Sequence, residues 1–434
     1  MARPDILLAS QGPGTLKNMD NKEPISATKD PSSSPTWCSL MWSYYYVGPD
    51  GDFRPCCRFN LNEVPEELKL SESSTLTDYF RSPFLEDMRA KMLSGEKISG
   101  CQKCYEEEAA GHSPSYRQIS NRQSHINFDL KLDHPQIRFL ELSYSNLCNI
   151  QCRTCTPYFS TAWKRQWQHL QRLGAVGQDR QCLEETSFPG RKTIDIEKLS
   201  PHLLDLRQIK FTGGEPLLIP ENRELLKKLV SLGIAKNVRL NYSTNLTIEP
   251  DDELIDLWSQ FQHIEIAASL DGIGPVIEYV RYPSPWEKVQ KVLQKIMRLS
   301  HRVSLDCGLR SAVSIYNIYS LPETMTWWKE QVDANFVRPF DQNSWLNPSQ
   351  IYRPLYLSIK VLPTKYKRMV AEKFESYFDE PYLQRFLDQM VSVMHSTDDS
   401  HLIPQFQKYT VELDKIRDQS FTDVCPQFAD LLKL

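Results

Sequence analysis

The chain has 434 residues, 40% hydrophobic and 11% aromatic, enough to bury one large core or two to three smaller ones, so it reads as globular. A net charge of −4 and a pI near 6.2, with no compensating run of Lys or Arg, argue against an electrostatic grip on nucleic acid. No stretch approaches the roughly 18 apolar residues of a membrane span, and the start has neither a secretory nor a transit signal. Residues 1–36, rich in Gly, Ser, Pro and charge, read as a disordered tail on a cytoplasmic protein with no membrane partner. Eleven cysteines is an odd count, and eight of them cluster. Without export signals such clusters suggest metal binding rather than disulfides. Cys182, Cys307 and Cys425 are scattered and read as structural.

The first cluster lies in "WCSLMWSYYYVGPDGDFRPCCRFN", residues 37–60. Pro49 to Gly51 is a turn signal between "WSYYYV" and "FRPCC", which puts Cys38 and Cys56 on a hairpin. Cys57 points the other way on such a strand and reads as a bystander. "GCQKCYEEEAAG" then adds the pair Cys101 and Cys104. Four cysteines with a C-x2-C pair also suit a structural zinc ion, so the residues alone leave the metal open.

From about 137 to 340 strand-like and helix-like segments alternate. "IRFLELS", "RQIKFT", "NVRLNYST", "HIEIAAS", "VSLDCGLRSAV" and "NFVRPF" are expected strands, with five helical segments between them. That order predicts an α/β fold with a parallel sheet, and six units suit an open, partial (β/α)6 barrel. Alternation puts Lys210, Asn241, Glu265, Asp306 and Arg310 on a polar face and Ile209, Leu240, Ile266, Cys307 and Leu309 on an apolar one. Helices over the apolar face would leave a polar lumen, a candidate substrate cavity. The other reading is a one-sided sheet whose polar face meets solvent. Beyond about 355 the pattern is helical and carries no assignable motif.

Cys148, Cys152 and Cys155 directly follow "FLELSYSN", at the C-terminal end of the first barrel strand, where parallel α/β sheets put their active sites. A structural zinc ion wants four protein ligands, and no His completes these three. A four-iron cluster given three thiolates exposes one iron to another ligand. Later strands end in "FTGGEP" (211–216), "YSTN" (242–245) and "ASLDGIGPVIEYVR" (268–281).

In spacing and order these motifs resemble the radical S-adenosylmethionine (SAM) superfamily. Cys148-x3-Cys152-x2-Cys155 matches its CxxxCxxC signature, in which SAM chelates the open iron of a 4Fe–4S cluster. The resemblance implies that Gly213, Gly214 and Glu215 approach the SAM amino group, that Ser243 and Asn245 bind its ribose, and that Ser269 and Arg281 lie at its carboxylate. The residue before the third cysteine is often aromatic in relatives; here it is Thr154, so the adenine contact is not carried over. Cys38, Gly51 and Cys56 fit the opening of the SPASM pattern, and with Cys101 and Cys104 they resemble the shorter twitch domain with one auxiliary 4Fe–4S cluster. The implied organisation is a twitch domain over 37–130, the partial barrel over 131–345 and a helical cap over 346–434.

The resemblance also implies the reaction. Reductive cleavage of SAM yields a 5′-deoxyadenosyl radical that takes hydrogen from a polar small molecule or peptide, leading to dehydrogenation, cross-linking or rearrangement. The electron would come from a one-electron donor such as flavodoxin or ferredoxin. A peptide maturase or epimerase is an alternative, although Cys307, on the apolar face, suits no thiol donor's role. A non-catalytic iron-sulfur protein is the alternative from another class.

Overall fold

The computed structural model describes residues 34–49, 51, 53–65, 68, 79–109, 114–127, 130, 136–176, 195–334 and 346–433. The first 33 residues, Cys182 and the strand expected at 335–340 lie outside them.

Among the described residues eight strands form one sheet: β1 (Tyr44–Val47), β2 (Phe53–Arg54), β3 (Phe139–Leu142), β4 (Gln208–Phe211), β5 (Arg239–Thr244), β6 (His263–Ser269), β7 (Leu305–Val313) and β8 (Leu346–Gln350). Their order is β2-β1-β3-β4-β5-β6-β7-β8, parallel throughout except for the β1/β2 hairpin. Five expected strands appear as β3 to β7, and β8 follows the undescribed stretch.

Among the described residues the α-helices of seven or more residues are α1 (Pro83–Ser94), α2 (Gln102–Ala109), α3 (Tyr116–Arg122), α4 (Lys164–Arg172), α5 (Pro220–Ser231), α6 (Asp252–Trp258), α7 (Trp286–Arg298), α8 (Leu321–Asp333), α9 (Thr364–Phe374), α10 (Pro381–His395) and α11 (Ile403–Arg417). One of α4 to α8 separates each successive pair from β3 to β8, the α/β order of an open barrel. In α7 the buried residues Val289, Val292, Leu293, Ile296 and Met297 recur at helical spacing, which fixes the face that lies on the sheet. None of the described helices is long and apolar enough to cross a membrane.

Strand alternation gives the sheet its two characters. In β5 burial alternates strictly: Leu240, Tyr242 and Thr244 are buried, while Arg239, Asn241 and Ser243 are partly open. Ile209, Leu240, Ile264, Ile266, Leu305, Cys307 and Leu309 are all sealed in the core. β1 differs because both of its faces are covered. Tyr45 stacks on Phe53 at 4.8 Å, and Tyr44 meets Phe139 edge-on at 4.8 Å. That explains an unbroken "YYYV" run, and it joins the hairpin to the barrel strands through backbone pairing with β3.

The C-terminal helices pack back on the barrel. Tyr409 of α11 lies 5.2 Å from the Tyr356 ring, and Phe406 lies 5.7 Å from Tyr316.

Candidate functional site

The loop after β3 carries the three cysteines, each partly exposed. Its path is fixed by backbone bonds: Gln151 N donates to Tyr282 O at 2.6 Å, Arg153 N to Val280 O at 2.7 Å and Cys155 N to Cys152 O at 2.9 Å. Side chains add Ser160 Oγ to Ile150 O at 2.7 Å and Trp163 Nε1 to Cys152 O at 3.1 Å. Burial raises all three thiol pKa values, that of Cys152 to about 12, so the thiolates need a positive centre to form. Arg281 stands with Nη1 3.9 Å from Cys152 Sγ while its Nε meets Asp271 at 2.8 Å.

Gly213 and Gly214 dock the turn after β4 onto this loop. Gly214 N donates to Ser145 O and Glu215 N to Leu147 O, at 2.9 and 2.8 Å. A Cβ on Gly214 would stand 2.1 Å from Leu147 O, and one on Gly213, at φ 94°, 2.6 Å from Ser145 O. The observed need for glycine is therefore close approach to the cysteine loop's own backbone. Glu215 is fully buried. Its Oε1 accepts from Leu217 N at 3.2 Å and Thr244 Oγ1 at 2.9 Å, and its Oε2 from Asn245 N at 2.8 Å. Burial lifts its pKa to about 7 against these bonds. The carboxylate braces the end of β5, so an ammonium would have to share oxygens that already accept three donors. Asn245 Nδ2 in turn reaches Asn149 Oδ1 at 3.1 Å and Cys148 Sγ at 3.9 Å. Ser243 and Ser269 are partly open near the ends of β5 and β6.

The lumen residues share one register row, Tyr46–Glu141–Lys210–Asn241–Glu265–Asp306. Each of their carboxylates has a basic partner, a cation for Glu141 and Glu265 and an imidazole for Asp306. Lys210 meets Glu141 at 3.0 Å, Arg239 meets Glu265 at 2.8 Å and His263 meets Asp306 at 3.1 Å. Tyr44 Oη and Asn241 Nδ2 complete the carboxylates of Glu141 and Glu265 at 2.6 and 2.9 Å. Arg310, one turn of alternation higher beside Ser269, donates to Leu309 O at 2.9 Å.

Cys38, Cys56, Cys101 and Cys104 line a single cavity with Met41, Met92, Phe59, Tyr116, Arg58 and Arg117. Gly100 lets the Cys101 turn close: a Cβ there would fall 2.1 Å from the Phe59 ring. Arg58 and Arg117 are held by Glu107 and Glu108, the latter at 2.6 Å. Cys57 is absent from this lining, although like Cys38 and Cys56 it packs against the cluster of Tyr44, Tyr46 and Phe139. Among the described residues no three His, Cys, Asp or Glu side chains converge on a single metal ion. Clusters ask for a different arrangement, since their irons are held by thiolates spread around a shared cage. On donor chemistry both sets fit such clusters: four thiols around one cavity, and three on one loop.

The contribution of the C-terminal region escaped the sequence reading. Arg153, between the second and third cysteines, is fully buried; its Nη2 meets Asp414 of α11 at 2.5 Å and Gln419 at 3.0 Å, and its guanidinium lies 3.6 Å from the Tyr279 ring centroid. Tyr409 Oη donates back to Arg153 O at 2.9 Å. Asp414, Gln419 and Tyr409 stand more than 250 residues from Arg153 in the chain, so local pattern gives no signal for them.

Comparison with known proteins follows the same division. Residues 38–105 match the SPASM family, an iron-sulfur cluster-binding domain. A curated relative, GTP 3′,8-cyclase of Microcystis aeruginosa, is 26% identical over 168 residues, 38% of this chain and 45% of that protein, so the match spans under half of the relative's length. Among solved structures, anSMEcpe with bound AdoMet is similar at 17% identity over 55% of this chain and 61% of that one, with a TM-score of 0.37. Streptococcus suis SuiB bound to the precursor peptide SuiA is similar at 11% identity over 74% and 69%, with a TM-score of 0.32.

Proposed function

We propose that this chain is a radical SAM enzyme with a SPASM-type iron-sulfur domain, whose radical chemistry starts at Cys148, Cys152 and Cys155. The single observation that carries the reading is the placement of three thiols on one braced loop at the C-terminal end of β3, with the Gly213–Gly214 turn seated on that loop's backbone. When bound, a three-thiolate 4Fe–4S cluster and SAM supply one-electron cleavage of SAM and a 5′-deoxyadenosyl radical that takes a hydrogen atom from substrate.

The chain's own residues then do the placing. Ser243, Asn245 and Ser269 offer hydrogen-bonding groups toward SAM at the ends of β5 and β6, and Arg281 sets a buried cation beside Cys152. Cys38, Cys56, Cys101 and Cys104 hold one auxiliary 4Fe–4S cluster behind the β1/β2 hairpin. The row Lys210, Asn241, Glu265 and Asp306, with Arg310 above it, receives the substrate. Because two of the row's carboxylates, Glu141 and Glu265, are already compensated by Lys210 and Arg239, a neutral polar substrate suits it best: a sugar, a nucleobase or a short polar peptide. The electron comes from a low-potential one-electron donor such as flavodoxin or ferredoxin.

The test is anaerobic reconstitution with iron and sulfide. About eight irons per chain, and 5′-deoxyadenosine formed from SAM under a chemical reductant, are expected. About four irons would overturn the auxiliary cluster, and two intact clusters with no SAM cleavage in the presence of candidate substrates would favour a non-catalytic iron-sulfur protein.

A further inference from the structure

Three guanidiniums lie around the three-cysteine loop, and among the described residues only two of them have a carboxylate partner. Arg153 is paired with Asp414 at 2.5 Å and Arg281 with Asp271 at 2.8 Å. The third is Arg417, the last residue of α11, which is 5% exposed. Its Nε and Nη2 both donate to the neutral Oε1 of Gln166, at 3.1 and 3.0 Å, and its Nη1 is buried with no partner among the described residues.

Where this guanidinium sits is set by two rings. It lies 4.7 Å from the Trp163 ring centroid and 4.8 Å from that of Tyr282. Both residues are fastened to the loop: Trp163 Nε1 donates to Cys152 O at 3.1 Å, and Tyr282 O accepts from Gln151 N at 2.6 Å. Arg417 and Cys152 are also within electrostatic reach of each other. A buried cation without an anion is costly, and a buried polar group without a partner is costly too. A negative charge arriving at Cys152 would offset the first of these costs.

We infer that Arg417 is the counter-cation of the cluster held by Cys148, Cys152 and Cys155, so that the C-terminal helix completes the radical site and makes its cluster easier to reduce. The inference rests on the proposed function, because it needs that cluster. Reduction adds one electron, hence one negative charge, at the thiolate-held site. A fixed cation nearby stabilises the reduced form more than the oxidised one, and hydrogen bonds to cluster sulfurs act in the same sense. A unit charge at roughly 10 Å in an effective dielectric of about 20 is worth about tenfold in that equilibrium. Arg417 is a positioning residue in this scheme, since it acts through the cluster and not on substrate.

The experiment is a redox titration of the full-length, reconstituted protein without substrate, followed by electron paramagnetic resonance. The radical-site signal is the one that changes on adding SAM. Arg417→Met is expected to lower the equilibrium constant for reduction about tenfold, a shift of about 59 mV to more negative potential for one electron. Arg417→Lys, which keeps the charge, should restore most of it. Lys415→Met, which removes an exposed cation of the same helix paired with Glu412, should leave the potential unchanged. If Arg417→Met retains full iron and the wild-type potential, the inference is overturned while wild-type SAM cleavage keeps the proposed function standing. If Arg417→Met fails to load the site, Arg417→Gln is compared with Arg417→Lys, and equal potentials for the two would overturn it. A wild-type protein that neither fills the three-cysteine site nor cleaves SAM would bring down both readings.

Discussion

The two thiol sites are built on opposite plans. The four-cysteine cavity gathers its thiols from three separate stretches: Cys38 before β1, Cys56 after β2, and the Cys101/Cys104 pair at the start of α2. Its arginines, Arg58 and Arg117, are neutralised by Glu107 and Glu108 of the same region. The three-cysteine site is one loop of eight residues, held by elements from far along the chain, and the Arg417 beside it has no carboxylate partner among the described residues. A site assembled from many stretches is fixed once the domain folds. A site on one loop is only as well placed as whatever clamps that loop, and here the clamps are the Gly213–Gly214 turn, the 279–282 backbone and α11.

That contrast can be broken most directly at the cysteines. Cys148→Ala is expected to abolish 5′-deoxyadenosine formation while leaving about four irons per chain, and Cys104→Ala to lose about the same iron yet still cleave SAM; equal losses of cleavage in both would erase the distinction. Next, Gly214→Ala drives a Cβ to 2.1 Å from Leu147 O. A displacement of about 1 Å at the reacting centre can cost about 100-fold, so SAM cleavage should fall by that order while the four-cysteine iron content stays at wild type.

The clamp from α11 sets a smaller effect, read in stability. Asp414→Asn leaves Arg153 buried and unpaired, which should cost about 3 kcal/mol in urea unfolding of the apo-protein. A loss well under 1 kcal/mol would mean that Gln419 and Tyr279 suffice to hold Arg153.

Glu215 gives a comparable effect that depends on pH. Its folded pKa, raised to about 7 by burial, exceeds the unfolded value, so the native state keeps a proton that the unfolded chain gives up. Stability from this group is complete below about pH 4.5 and is lost as pH rises to about 7, a fall of roughly 3 kcal/mol. Glu215→Gln should flatten that slope in the apo-protein. Smallest of all, Cys57→Ser should change neither iron content nor SAM cleavage, because Cys57 lies outside the cavity lining; loss of iron would make it a ligand.

Much of this was legible in the chain. The periodicity of "NVRLNYST" gave the correct face for Leu240 and Tyr242, because a strand with one side under helices must alternate. Cysteine spacing separated a group of four thiols that line one cavity from three on one loop. Less could be seen where partners are distant. Glu215 reads as a ligand-facing carboxylate, yet in the fold it accepts bonds from Thr244 and Asn245, which depends on how β4 and β5 end side by side. The hairpin is visible as a turn between two strands, but its pairing with β3 is not, since a strand's sequence does not name its neighbour.

By itself the sequence determined the order of strands and helices, the identity of the thiols and the small residues that let backbones touch, because periodicity, spacing and the lack of a Cβ are local properties. Only the tertiary structure decided that Arg153 and Arg417 lie against the three-cysteine loop, because burial beside Asp414, Trp163 and Tyr282 is created when α11 folds back across the barrel, and no local pattern encodes which cation will be left without its anion.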